Sequence, residues 1–412
     1  MTYSEGGSRF GLLGERLGHS FSPLLHGLLA DYEYRLYEVA PDRVEAFLRE
    51  GDFDGLNVTI PYKRTALACC DEATEKARRL GNVNTLVRRA DGSLWGDNTD
   101  YDGFAWMLDR AGVSVRGEKA LVLGSGGASQ TVRAVLEDRG AGSVVTISRR
   151  GPDNYENLDR HRDAAILVNT TPVGMYPKND GCPLDLAALP ACRAVFDLIY
   201  NPGRTRLLQA AEDRGIPGWN GAGMLAAQAK AAAERFLGRP VEAGLVPMLT
   251  ETMEKQMRNL LLIGMPGSGK SAVGETLARQ LGRTWIDLDE RVTETAGETP
   301  GAIIRSRGEP AFRAVEQAVL REVSRESGLV ISAGGGVVTV PENRVLLRQN
   351  STVIWLRRPL DRLPTEGRPL SVDLEALYRV REPLYRAAAD LEADNTGTVE
   401  ETVRHIREEV GL

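Results

Sequence analysis

The sequence is sparing in several respects, and each shortage excludes something. Among 412 residues there are four cysteines, Cys69, Cys70, Cys182 and Cys192, too few and too irregularly spaced for a disulfide framework or a zinc site. His19 and His26 stand seven apart, a spacing that builds no ligand face, and no acidic residue follows at metal spacing. No run approaches the ~18 apolar residues a membrane span needs. The start, Met1-Thr-Tyr-Ser-Glu-Gly-Gly, lacks the basic opening and apolar stretch of a secretory signal. Positive charge is not in excess either. Lys and Arg total 51 against 57 Asp and Glu, a net charge of −6, and neither half is strongly basic, which disfavours a nucleic-acid partner. There is no internal repeat and no low-complexity tract. The expectation is a cytoplasmic protein with neither a membrane nor a nucleic-acid partner.

What is present is ordinary globular composition, 42% apolar and 26% charged, in a chain long enough for two or three domains of roughly 150 residues. Two glycine-rich turns punctuate it, each after an apolar run and before a helical pattern. They are Ala120-Leu-Val-Leu-Gly124-Ser-Gly126-Gly127-Ala128-Ser129 and Asn259-Leu-Leu-Leu-Ile-Gly264-Met-Pro-Gly267-Ser268-Gly269-Lys270-Ser271. Further short apolar runs at 10–13, 55–60, 143–148, 165–169, 194–198, 329–333 and 352–356 read as buried strands. Helical patterns fall between them, as at 129–139, 271–281 and 311–325. This alternation predicts α/β architecture with parallel sheets. The charged stretch Glu251-Thr-Met-Glu-Lys-Gln-Met-Arg258 separates one complete pattern from another that starts afresh at Asn259.

The second turn matches G-x-x-x-x-G-K-[ST] in full, between a strand and a helix as that motif requires. Its glycines, Gly264, Gly267 and Gly269, let backbone N–H groups, including that of Ser268, converge on phosphate oxygens at a helix N-terminus. Lys270 is placed for the β- and γ-phosphates and the Ser271 hydroxyl for Mg²⁺, so ATP is the expected nucleotide. Thr284-Trp-Ile-Asp287-Leu-Asp289 reads as a second strand ending in two carboxylates. Gly308-Glu-Pro-Ala-Phe-Arg313-Ala-Val-Glu316, Leu329-Val-Ile-Ser-Ala-Gly334-Gly335-Gly336 and Arg381-Glu-Pro-Leu-Tyr385 follow.

In this order the motifs resemble shikimate kinase over essentially all of 259–412. The resemblance implies a P-loop, nucleoside-monophosphate-kinase-like parallel-sheet domain. It puts Asp287 on Mg²⁺ through water, and makes Asp289 the acceptor for the substrate hydroxyls and the candidate base. A small acid with vicinal hydroxyls needs guanidinium groups for its carboxylate. Arg313 and Arg381 supply them, and Gly334, Gly335 and Gly336 let backbone approach the ring. Relatives cover ATP with a lid carrying an arginine. Here Gly367-Arg368-Pro369-Leu370 fits that lid, which assigns Arg368 to phosphate contact, but the preceding segment 358–366 is abbreviated.

The first turn is a partial dinucleotide motif. Gly124, Gly126, Gly127 and Ala128 open a helix after a strand, but Ser129 replaces the third glycine or alanine, and alone such a turn suits a non-binding bend as well. The next strand sharpens the reading. It ends in Ser148-Arg149-Arg150 where an NAD enzyme has an acid for the ribose 2′-OH; arginine accommodates a 2′-phosphate. The cofactor is therefore expected to be NADP(H). Between Arg150 and Ala164 the chain has little more than the ~10–12 residues a crossover needs.

Around that turn stand Ser20-Phe-Ser22-Pro23, Asn57-Val-Thr59-Ile-Pro-Tyr-Lys63, Gly81-Asn-Val-Asn84-Thr85, Asn98-Thr99-Asp100, Asn169-Thr-Thr-Pro-Val-Gly174, Asp197-Leu-Ile-Tyr200 and Gly221-Ala-Gly-Met224-Leu-Ala-Ala-Gln228. The ordered set is similar to shikimate dehydrogenase over roughly 9–245. That resemblance implies an α/β substrate lobe and a Rossmann-type NADP lobe, the latter including Tyr200 and Gly221. It places Ser20 and Ser22 on the substrate carboxylate, Thr59, Asn84 and Gln228 on ring oxygens, and makes Lys63 and Asp100 the catalytic pair. A carbonyl receiving hydride needs a proton donor within hydrogen-bond reach; a Lys–Asp pair meets that need, and sequence leaves open which member gives the proton.

The expected layout is a substrate-binding lobe at 1–100 completed by 222–250, an NADP lobe at 101–221, a linker at 251–258 and a kinase domain at 259–412. The expected partners are 3-dehydroshikimate and shikimate, used in consecutive steps. Alternatives are a quinate/shikimate dehydrogenase fused to a small polyol-acid kinase, or one half acting as a ligand-sensing module. The last predicts loss of catalytic residues, whereas Lys63, Asp100, Lys270 and Asp289 are all present.

Overall fold

The apolar runs between glycine turns form the strands of three sheets in the computed structural model, which describes residues 9–18, 20–242, 244–363 and 373–412. Arg368 and His19 lie outside the described residues. The chain divides into two units. The first comprises Met1–Val173, Cys182–Tyr200 and Ala210–Met253, and the second Gly174–Gly181, Asn201–Gln209 and Glu254–Leu412. The segment 251–258, expected as a linker or the tail of a helix, is mostly the end of a helix, Leu245–Met257.

In the first unit, β1 (Arg9–Gly14), β2 (Glu33–Glu38), β3 (Gly55–Val58), β4 (Glu72–Ala73), β5 (Thr85–Arg88) and β6 (Leu94–Asp97) form one sheet in the order β2-β1-β3-β5-β6-β4. It is mixed rather than parallel throughout. β1 runs parallel to β2 and β3, whereas β5 is antiparallel to both β3 and β6. Five residues join β5 to β6, far too few for a parallel crossover, and Asp91-Gly92 within them is a hairpin signal. The reversal has a functional consequence. The start of β5 lies at the sheet edge where β1, β3 and β6 end. Leu13, Leu56, Val58 and Leu86 build the core beneath that edge.

The helix Thr99–Ala111, capped by the Asn98 side chain, packs along the helix Ala222–Leu237. A Cβ on Gly103 would stand 2.6 Å from the Met224 carbonyl oxygen and 3.1 Å from Gln228 Cβ, so only glycine permits this approach. The start of the first helix is pinned by charge. Asp97, 1% exposed, takes Lys76 at 3.3 Å and Arg235 at 3.0 Å. Burial pushes its carboxyl up, but the charge of Lys76 and hydrogen bonds from Thr74, Arg235 and the Asn98 amide hold it below the usual carboxylate range.

The second sheet of this unit contains β7 (Lys119–Leu123), β8 (Ser143–Ile147), β9 (Ile166–Asn169), β10 (Ala194–Asp197) and β11 (Gly218–Trp219), ordered β11-β10-β9-β7-β8 with parallel neighbours. The winding reverses between β7 and β9, and ligands of open α/β sheets bind beyond the strand ends at such a point. The crossover from β8 to β9 carries only a single 3₁₀ turn, Leu158–His161, in keeping with its short sequence.

In the second unit β12 (Asn259–Ile263), β13 (Trp285–Asp287), β14 (Val330–Ser332), β15 (Ser351–Arg357) and β16 (Leu391–Asp394) form a parallel sheet ordered β13-β14-β12-β15-β16. Leu261 and Ile263 enter one core while Leu260 and Leu262 enter another, so both faces are covered, as parallel sheets require. One strand expectation fails. β13 stops at Asp287, and Asp289 sits in the first turn of the helix Leu288–Ala296. Asp287 caps that helix, its Oδ1 accepting the Asp289 N–H at 2.9 Å, which ends the strand two residues early.

Candidate active sites

In the first unit the polar residues singled out from sequence collect at one sheet edge. Register brings Leu13 of β1 beside Val58 of β3, Asn57 beside Thr85 of β5, and Thr85 beside Asp97 of β6. The chain leaving each strand there carries Ser20 and Ser22, Thr59 and Lys63, and Asp100, while Asn84 enters β5. Lys63 Nζ donates to Asp100 Oδ2 at 2.5 Å, and Asn84 Nδ2 donates to Asp100 Oδ1 at 2.8 Å. Both carboxylate oxygens are therefore engaged as acceptors. Lys63 and Asp100 are part-exposed, with side-chain exposures of 27% and 18%, so the pair is reachable from solvent.

The remaining expected residues lie on neighbouring elements. Ser22 is buried at the start of the helix Ser22–Leu29, and its N–H donates to Ser20 Oγ at 3.2 Å. Thr59 is half-buried, its N–H donating to the Leu13 carbonyl at 2.9 Å. Gln228 is buried on the helix Ala222–Leu237 and donates to the Leu225 carbonyl at 3.0 Å. Sequence reasoning missed the residues beneath. The half-buried Tyr34 phenol lies against Ser22 and donates to Asn57 Oδ1 at 2.8 Å. Asn57 was quoted in a motif without a role, and Thr85 likewise; both were visible as polar residues inside apolar strand patterns.

The residues expected to bind the cofactor lie along the carboxyl-end edge of the second sheet. Gly124 follows β7, takes φ +103°, and donates its N–H to the Ile147 carbonyl at 2.9 Å. A Cβ on Gly126 would meet nothing within 4 Å, so the space over the turn is open. Gly127 and Ala128 are exposed in the first turn of the helix Gly127–Asp138, whereas Ser129 is buried. Ser148 is half-buried at the end of β8, and Arg149 and Arg150 are exposed just beyond it. Tyr200, whose hydroxyl pKa is raised by burial, stands edge-on to Phe21. The Gly221 N–H donates to the Ile199 carbonyl at 3.0 Å. An open glycine turn at a helix N-terminus with two cationic side chains at the next strand end fits a dinucleotide bearing an extra phosphate.

In the second unit a cavity of about 660 Å³ is lined by the glycine turn, Lys270, Ser271, Asp287, Asp289, Arg313, Glu316, Gly334–Gly336 and Arg381. Among the described residues, every kinase-site residue expected from sequence reaches it except Gly264 and Ser268, which lie within the turn itself; Arg368 lies outside the described residues. Lys270, 9% exposed, donates to the Gly264 and Met265 carbonyls, each at 3.0 Å. Ser271 donates to Asp287 Oδ2 at 2.7 Å. A lysine inside a ring of backbone amides, with a hydroxyl and a carboxylate together beside it, suits a nucleoside triphosphate and Mg²⁺.

At the far side, Arg313 donates to Glu316 Oε2 at 2.7 Å and to Glu309 Oε1 at 2.8 Å. Burial disfavours its charge, but Glu316 and Glu309 outweigh this and raise its pKa. Glu316 is 0% exposed, and burial raises its carboxyl despite the neighbouring guanidinium. Its role went unread because a glutamate on an amphipathic helix ordinarily faces water. Arg305 and Phe312 also line the cavity without having been singled out. The Tyr385 phenol, pushed up to about 12 by burial, donates to the Gly335 carbonyl and braces the glycine run.

The chain is similar to known proteins of two families. Residues 266–411 match the family model described as shikimate kinase, and residues 12–86 the one described as shikimate dehydrogenase substrate binding domain. The shikimate dehydrogenase (NADP(+)) of Clostridium perfringens (strain SM101 / Type A) is 35% identical over 254 residues, covering 57% of this chain and 93% of the relative. The shikimate 5-dehydrogenase of Thermus thermophilus, solved in complex with NADP(H) and shikimate, shares 31% identity at a TM-score of 0.54, over 60% of this chain and 99% of that one. A quinate dehydrogenase from Corynebacterium glutamicum in complex with NAD shares 26% identity at a TM-score of 0.55, over 60% of this chain and 98% of that one. No helix among the described residues is long and apolar enough to cross a membrane.

Proposed function

The N-terminal part of the chain belongs to the shikimate dehydrogenase family and is followed by a shikimate kinase domain, and from that premise we propose that one chain reduces 3-dehydroshikimate to shikimate and then phosphorylates the shikimate 3-hydroxyl. The observation that carries the first step is the pairing of Lys63 with Asp100. Asp100 has both oxygens occupied, by Asn84 and by Lys63, and we assign the proton delivered to the substrate to Lys63. Lys63 gives that proton to the carbonyl oxygen as the carbon is reduced, and Asp100 keeps the ammonium aimed. NADPH, when bound, supplies the hydride. Ser20 and Ser22 hold the substrate carboxylate, and Thr59, Asn84 and Gln228 hold ring oxygens. Gly124, Gly126, Gly127, Ala128, Ser148–Arg150, Tyr200 and Gly221 would hold the cofactor.

In the second step Arg313 and Arg381 clamp the carboxylate of shikimate while Asp289 accepts hydrogen bonds from its hydroxyls and takes the proton of the attacking one. Lys270 leaves the Gly264 and Met265 carbonyls to neutralise the transferring phosphoryl group of ATP, and Ser271 and Asp287 would hold Mg²⁺, the aspartate through water. Arg368 contacts phosphate. The division of labour follows 1–100 with 222–250 for the substrate lobe, 101–221 for the cofactor lobe and 259–412 for the kinase.

A coupled assay tests the whole reading. Supplied with 3-dehydroshikimate, NADPH and MgATP, the chain yields 3-phosphoshikimate with equimolar NADP⁺ and ADP. Lys63→Ala stops the first step alone and Asp289→Asn the second alone. The likeness to a quinate dehydrogenase favours a second reading in which quinate is also oxidised; a substrate panel that includes quinate with NAD⁺ separates the two.

A further inference from the structure

Beneath the Lys63–Asp100 pair lies a closed set of hydroxyls and amides that neither motif accounts for. Thr85 and Thr99 are both 0% exposed, and Asn84 and Asn57 are 3% and 5% exposed. Thr85 Oγ1 stands 3.0 Å from Thr99 Oγ1 and 3.2 Å from Asn84 Oδ1, and Asn57 Nδ2 donates to it at 3.3 Å. The Thr99 N–H reaches Asn84 Oδ1 at 2.7 Å, and the Thr99 hydroxyl reaches the same atom at 3.2 Å.

The directions follow from chemistry. A backbone N–H only donates, so the Asn84 atom facing Thr99 is the oxygen and the amide cannot be flipped. Its nitrogen must then face Asp100, to which it donates at 2.8 Å. Asn57 Nδ2 only donates as well, so Thr85 accepts from it and has its own proton to pass toward Thr99 or Asn84. The run of donors therefore leads from Tyr34 through Asn57, Thr85, Thr99 and Asn84 to the carboxylate. A valine would fill the same volume at position 85 and suit a buried strand at least as well. A hydroxyl there has its use in this relay.

We propose that Thr85 is a positioning residue for the reductase reaction, its hydroxyl locking the Asn84 amide so that Asp100 is held against Lys63. It touches neither the substrate nor the cofactor; it acts through Asn84 and Asp100. The inference rests on the reductase reading of this site.

Thr85→Val keeps the shape and deletes the hydroxyl. It should lower kcat for 3-dehydroshikimate reduction about tenfold, the scale of one buried hydrogen bond, with the KM for NADPH unchanged. Thr85→Ser, which keeps the hydroxyl and loses the methyl, should restore kcat. Wild-type kcat in Thr85→Val, or equal slowing in Thr85→Ser, would overturn the proposal. Thr99→Val provides a second readout that holds even where Thr85→Val fails to fold. It should slow turnover to a similar degree, and unchanged turnover in that variant counts against the relay. A wild-type chain without NADPH-dependent turnover would overturn the reductase reading itself, a different outcome from an active wild type matched by its variants.

Discussion

Gly336 and Arg313 occupy nearly the same space: a Cβ added to the glycine would fall 2.0 Å from the Arg313 Nη2. The guanidinium is fixed from its other side by Glu309 and the buried Glu316, so it has no room to yield. Gly336→Ala is expected to displace Arg313 from the carboxylate-binding position. The kinase KM for shikimate should rise about tenfold or more, the worth of a charge-assisted contact, while dehydrogenase turnover is untouched. Steady-state kinetics of both reactions on one preparation measure this, and an unchanged KM counts against the assignment of Arg313.

Lys63→Ala should lower dehydrogenase kcat by at least about 10², since a positioned acid contributes 10²–10⁴. Asp100→Asn should slow it too, because a neutral amide no longer holds the ammonium. If Lys63→Ala retains a tenth of wild-type kcat, the proton comes from elsewhere.

Arg149→Ala should cut kcat/KM for NADP⁺ about tenfold or more and leave kcat/KM for NAD⁺ as it was. The exposed position of Arg149 beyond β8 makes a folding defect an unsuitable explanation for any loss. Equal kcat/KM values for the two cofactors in the wild-type chain would remove Arg149 and Arg150 from cofactor choice.

Gly103→Ala should weaken the first unit and slow reduction together. Its methyl would collide with the Met224 backbone, forcing apart the two helices that carry Asp100 and Gln228. A stability loss of about 1–3 kcal/mol, typical of overpacking, is expected in thermal or urea melts.

His26 makes the first unit acid-sensitive. It is fully buried with Nδ1 at 2.6 Å from the Tyr32 hydroxyl, and stacked on Tyr34. Burial pushes its pKa down to about 3 against a smaller upward pull from Asn57. Unfolded, the same group takes a proton near pH 6.5. Its contribution is therefore whole above that pH and lost progressively as the pH falls toward 3, by up to ~1.4 kcal/mol per pH unit. Urea titrations between pH 7 and 4 should show that slope in the wild type and a shallower one in His26→Gln.

Much of this was legible in sequence because both glycine turns impose local geometry that few other residues allow. The strands around them, the parallel sheet of the second unit and the short crossover after Arg150 followed from the apolar runs and the spacing. What escaped was set by longer-range pairing. β5 runs antiparallel because a short turn with Asp91-Gly92 leaves no alternative, yet its brief apolar stretch looks like any other strand. Asp289 moved from strand to helix because Asp287 caps the helix after it. Thr85 owes its environment to Asn57, far along the chain, and Glu316 to the packing that buries it, and no local pattern marks either.

The two hydrogen bonds from Lys270 to its own loop have a thermodynamic corollary. Lys270 cross-braces the turn through the Gly264 and Met265 carbonyls, so binding of a triphosphate by this lysine is an exchange of partners. The net gain is the difference between a phosphate contact and a carbonyl contact rather than the full worth of the former.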